Sequence, residues 1–82
     1  MNEEAIKKMI FQLLKRIAPE HDPSTLMPEE NIREALNIDS FDALQFIVAI
    51  SEKLNVDIPE EDYGKTATLK SLLAYLQQKM KS

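Results

Sequence analysis

Apolar residues recur through the first segment, Asn2 to about Ile17, at Ala5, Ile6, Met9, Ile10, Leu13, Leu14 and Ile17. Spacings of one, three and four place them on a single stripe of a helix. The ends of the segment agree with this: Asn2 is a candidate N-cap, Glu3 and Glu4 fall in the first turn, Lys15 and Arg16 in the last, and Pro19 follows. Glu3 with Lys7 and Glu4 with Lys8 are i,i+4 pairs in the favourable order, each expected to add about 0.2–0.5 kcal/mol.

The period is lost from Ala18 to Asp39, where Pro19, Pro23 and Pro28 forbid an uninterrupted helix. A connection this long in a compact domain is either functional or packed on its own side chains. Leu26, Met27, Ile32, Leu36 and Ile38 are expected to pin it to the core, with a helical turn or two within Glu29 to Leu36. Asp39 to about Leu54 predicts a second long helix with more apolar surface than one face needs. Phe46, Ile47, Ile50 and Leu54 make a buried row, and Phe41, Leu44 and Val48 a second row displaced round the cylinder. That second row either packs beneath the first loop or stays at the surface.

Asn55 to Pro59 breaks the pattern again. Pro59-Glu60-Glu61-Asp62-Tyr63 has the signature of a short helix start, which Gly64 can end in a left-handed cap. Thr66 or Thr68 can cap a last helix carrying Leu69, Leu72, Leu73, Leu76 and Met80. The expected fold is all-α, three principal helices and one short one in a small bundle, as a single domain over residues 1–82.

Composition then removes most chemistries. Ten Lys+Arg against fourteen Asp+Glu leave a net charge of −4, the wrong sign for a phosphate-backbone binder, so no nucleic-acid partner is expected. Cysteine is absent and His21 is the only histidine, which excludes thiolate zinc sites, cysteine nucleophiles and imidazole pairs. The lone glycine, Gly64, cannot make a phosphate loop, and the acidic runs Glu29-Glu30 and Glu60-Glu61-Asp62 lack the pattern of a calcium loop. No metal and no unaided catalysis are expected. No apolar run approaches the roughly 18 residues of a membrane span, and Asn2-Glu3-Glu4 is unlike a basic secretory leader, so a cytoplasmic protein is expected.

What remains is Asp39-Ser40-Phe41 at the start of the helix with surplus apolar surface. Asp39 suits the N-cap and Asp42 stands three residues on, leaving Ser40 in the first turn with its hydroxyl outside the helix. An anion esterified to that hydroxyl would gain roughly 0.3–1 kcal/mol from the helix dipole. Capping alone is the simpler account of an Asp-Ser pair at such a place.

The run Leu36-Asn37-Ile38-Asp39-Ser40-Phe41-Asp42-Ala43-Leu44, followed by Phe46-Ile47-Val48-Ala49-Ile50 and by Ile58-Pro59-Glu60-Glu61-Asp62, resembles acyl carrier proteins. The resemblance covers nearly the whole chain, including its acidic charge, its long first loop and the Thr-Ala-Thr-Leu stretch before the last helix. It implies a four-helix bundle of acyl-carrier type. It also implies covalent 4′-phosphopantetheine on Ser40, with Asp39 beside it, attached from coenzyme A by a magnesium-dependent phosphopantetheinyl transferase. A cysteine-free chain would then hold an acyl or aminoacyl group as a thioester on the arm and present it to acyl-loading and acyl-processing enzymes, as a monomer. Phe41, Asp42, Leu44, Val48 and Glu52 would meet those partners, while the buried row opens to shelter an apolar chain.

Three departures from the family pattern stand out. Asn37 occupies a place often held by Gly, and Asn enters left-handed conformations readily. Phe41 replaces the usual Leu after the serine. Gln45, Ser51 and Lys53 stand where fatty-acid carriers commonly have Glu, which points to a specialised pathway, polyketide-like, lipid-modifying or aminoacyl-loading, rather than housekeeping fatty-acid synthesis. The alternative is a small helical adaptor that binds partners through Phe41, Leu44 and Val48 and is never modified.

Overall fold

The structure is a computed structural model and describes residues 2–81. Helix α1 (Glu3–Ile17) starts where the Asn2 side chain accepts the Ala5 N–H at 2.8 Å and ends where the Ala18 N–H donates to the Leu14 carbonyl. Its stripe, Ile6, Met9, Ile10, Leu13 and Leu14, is buried. The expected i,i+4 ion pairs do not close: Lys7 instead sets its ammonium over the Phe11 ring, 5.8 Å from the centroid. Exposed pairs of this kind gain too little to hold two long side chains in one geometry.

The first loop is organised by short-range caps. Asp22 starts a 3-10 turn, Pro23–Thr25, accepting from the Ser24 N–H and hydroxyl, and these bonds hold its carboxyl below the usual range. Asn31 caps the four-residue helix α2 (Ile32–Ala35). Two backbone bonds fasten this stretch to the start of the last helix: Ile32 N–H to the Ala67 carbonyl at 2.9 Å, and Lys70 N–H to the Pro28 carbonyl at 2.8 Å. Leu26, Ile32, Leu36 and Ile38 are buried as expected, but Met27 is 61% exposed. A turn closed by Glu30 N–H on the Met27 carbonyl, with the Glu30 carboxylate accepting the Met27 N–H, holds that residue at the surface.

Asn37 has φ 53°, and its αL geometry lets the Ile38 N–H reach back to the Arg33 carbonyl at 2.9 Å. Helix α3 (Ser40–Leu54) follows and ends the same way, with Asn55 at φ 54° and the Val56 N–H bonded to the Ser51 carbonyl. The Ser51 hydroxyl donates to the Val56 carbonyl at 2.6 Å, so Ser51 helps to close the helix. Phe46 and Ile50 are buried, whereas Ile47 and Leu54 are half-buried, a narrower core row than the period suggested.

A 3-10 helix over Glu60–Thr66 takes the place of the short helix expected from Pro59. Gly64 does not end it: its φ is not positive, and a Cβ there would meet nothing within 4 Å, so neither backbone nor packing demands glycine. Closure comes two residues later, where buried Thr66 donates its hydroxyl to the Tyr63 carbonyl at 2.7 Å. Thr68, not Thr66, caps helix α4 (Leu69–Lys81): its hydroxyl accepts the Ser71 N–H while the Ser71 hydroxyl accepts the Thr68 N–H, a reciprocal capping box. Leu69, Leu72, Leu73 and Leu76 join α1 and α3 in one core, and no strand occurs among the described residues.

The Tyr75 hydroxyl donates to Asp62 Oδ2 at 2.7 Å, tying the 3-10 helix to α4, and within the 3-10 helix Lys65 Nζ lies 3.3 Å from Asp62 Oδ1. The Tyr75 bond holds the Asp62 carboxyl low, while partial burial and the Asp62 bond push the Tyr75 hydroxyl up to about 12. A raised tyrosine stabilises the fold fully below its ordinary value of 10.0 and loses that contribution as pH climbs through about 12. The lowered carboxyl contributes above the ordinary 3.8 and loses its contribution as pH falls through its depressed value. Asp62→Asn is therefore expected to bring the Tyr75 midpoint down toward 10.0, followed by NMR of the ring carbon bearing the hydroxyl. An unchanged midpoint would show that burial alone sets it.

Candidate functional site

Asp39 is the N-cap of α3, extended at φ −77° and ψ 172°, with its carboxylate accepting the Asp42 N–H at 2.8 Å. That cap turns the chain into the helix at Ser40, which is exposed in the first turn. Among the described residues nothing hydrogen-bonds the Ser40 side chain, so its hydroxyl is free to react. The serine opens onto a cleft of about 580 Å3 between α2, α3 and the 3-10 helix. Ile38, Ala43, Phe46 and Ile47 supply apolar lining, with Tyr63 and Thr66 on the facing side.

The predicted site residues divide into two sets. Leu44 shares the cleft with Ser40, while Phe41, Val48, Asp42 and Glu52 stand outside it. Phe41 is 67% exposed, Leu44 42% and Val48 40%, so the second apolar row of α3 lies at the surface and not beneath the first loop. Glu52, Gln45 and Lys53 are exposed on the same helix, and Asp42 is half-buried. The far wall of the cleft, from Glu60 to Ala67, escaped the sequence reading. In sequence the Thr-Ala-Thr stretch offers only a cap, and no local period says that it faces Ser40 across some twenty-five positions.

A search against family models matches residues 4–76 to the family described as "Phosphopantetheine attachment site". The acyl carrier protein of Helicobacter hepaticus is 33% identical over 70 residues, spanning 82% of this chain and 92% of that protein. The chain belongs to the acyl carrier protein family. The acyl carrier protein of Thermosynechococcus vestitus is 36% identical over 59 residues, 72% of this chain and 73% of that protein. Among solved structures, an acyl carrier protein from Enterococcus faecalis overlays with a TM-score of 0.74, covering 96% of this chain and 99% of that one; at 21% identity the likeness is one of fold.

An acyl carrier protein is a carrier and not an enzyme, and 4′-phosphopantetheine is its prosthetic group. Its partners are a phosphopantetheinyl transferase and acyl-handling enzymes. The site fits such a group: a free, exposed hydroxyl at a helix start, beside a cleft with apolar walls. When bound, the arm supplies the thiol that this cysteine-free chain lacks. No helix among the described residues is long and apolar enough to cross a membrane.

Proposed function

We propose that Ser40 carries the 4′-phosphopantetheine and that the protein serves a specialised acyl or aminoacyl pathway as a cytoplasmic monomer. The observation that carries the site assignment is the unpartnered Ser40 hydroxyl, exposed by the Asp39 cap at the mouth of the cleft. Asp39 holds the serine in the first turn, where the free N–H groups of α3 favour a phosphodiester. Ile38, Leu44 and Ile47 offer an apolar cargo cover worth about 0.8 kcal/mol per fully buried methylene. Phe41, Val48, Asp42 and Glu52 are left for the partner enzymes. Incubation with coenzyme A, magnesium and a broad-range transferase should add about 340 Da, the mass of the arm. An unmodified adaptor would take no mass.

The pathway reading rests on α3. Fatty-acid carriers of this family meet basic patches, and here exposed Gln45 and Lys53 thin the acidic face. Ser51 drops out of that argument because its hydroxyl closes the helix end. Charge complementarity acts on encounter rate and on rejection of wrong partners. Gln45→Glu with Lys53→Glu should raise kcat/KM with a housekeeping malonyl transferase roughly tenfold at low ionic strength and much less at high salt. If the native protein already matches an ordinary fatty-acid carrier with that enzyme, the specialised assignment fails.

A further inference from the structure

Arg33 is the only cationic residue lining the Ser40 cleft among the described residues. Its Nε–H points at the Ile38 carbonyl, 3.4 Å away, which ties the guanidinium to the backbone two residues before the serine. The same backbone segment is held from the other side by the Ile38 N–H on the Arg33 carbonyl. No carboxylate among the described residues comes within 4.0 Å of Arg33. This is an unneutralised charge in a chain of net −4, and among the described residues the remaining guanidinium N–H groups have no partner. Glu60 is the one carboxylate residue lining the cleft among the described residues, and Asp39 and Asp42 lie one and two positions from Ser40 along the chain. A phosphodiester on Ser40 would meet repulsion from those carboxylates, and Arg33 is the cationic residue that shares the cleft with Ser40.

We propose that Arg33 is a positioning residue for the arm, its guanidinium holding the phosphodiester on Ser40 so that the arm sets off across the cleft. The inference rests on the reading that Ser40 is the attachment site. Arg suits the task because its guanidinium carries a positive charge and N–H donors to spare beyond the Nε–H that faces Ile38. The contact is exposed, so it is screened by salt and orients the arm without locking it.

The test uses the holo protein with no acyl cargo, so that only the arm is present. In the native protein the phosphodiester resonance in phosphorus NMR should stand away from that of the same holo protein unfolded in urea, which keeps the seryl diester, and move toward it as salt is added. The Arg33 Nε–Hε cross-peak should shift between apo and holo forms. Arg33→Gln should already stand at that unfolded-state diester position at low salt, with no salt response. Arg33→Lys keeps the charge but not the Nε bond to Ile38, and should retain most of the displacement. A Lys variant that behaves like the Gln variant would assign Arg33 to bracing the loop and overturn the proposal. An Nε–Hε signal indifferent to loading would do so without any variant. Failure to find the arm on Ser40 by peptide mapping would overturn the attachment reading itself, and this inference with it.

Discussion

Ser40→Ala is expected to abolish attachment of the arm completely while leaving the thermal and urea unfolding of the protein almost unchanged. The two effects separate because Ser40 contributes a reacting atom and no structural bond. Its side chain is exposed and unpartnered, whereas the start of α3 is secured by Asp39, whose carboxylate holds the Asp42 N–H. Alanine is also a good residue for a first helical turn, so the change in stability should stay within about 0.5 kcal/mol. Asp39→Ala should do the reverse: it removes the cap, costs about 1 kcal/mol, and leaves the hydroxyl in place. Intact mass after incubation with coenzyme A and a transferase reads the first effect, and urea titration the second. An arm found on Ser24, Ser51 or Ser71 would sink the assignment. Ser51 and Ser71 are poor competitors, because their hydroxyls are engaged in closing α3 and opening α4.

Ile50→Ala and Leu72→Ala should each destabilise the fold by about 2–4 kcal/mol, and Leu44→Ala by clearly less. Ile50 and Leu72 are wholly buried where α1, α3 and α4 meet, so truncation loses both burial and contacts and leaves a cavity. For a domain whose whole stability lies near 5–15 kcal/mol, either loss is large. Leu44 is 42% exposed at the cleft, where solvent fills the space that alanine would vacate. Urea titrations give the comparison directly. Equal losses at Leu44 and Ile50 would mean that the outer row of α3 is core and not a contact surface.

The helices, their caps and the serine at the start of α3 were legible in the sequence because each depends on residues no more than about four positions apart. Asn2, Asp39 and Thr68 do what their side chains dictate, accepting the orphan N–H groups of the turn that follows. The lack of cysteine and the single histidine likewise limit the chemistry without any structure. Asn37 adopts the left-handed conformation expected from its amide side chain.

Tertiary packing decided the rest. Met27 has the hydropathy of a core residue, yet the turn to Glu30 carries it outward. Gly64 has the look of a helix stop, yet the Thr66 hydroxyl ends the turn instead. The cleft beside Ser40 forms where the first loop, buried through Ile32, Leu36 and Ile38 and held to the start of α4 by two backbone bonds, shares a wall with Tyr63 and Thr66. The bond between Tyr75 and Asp62 has the same origin. A helical period tells each residue which face it occupies and a cap tells the helix where to begin, because both are local. Which faces then meet, and what space they leave, depends on closing loops across thirty positions, and no local pattern records that geometry.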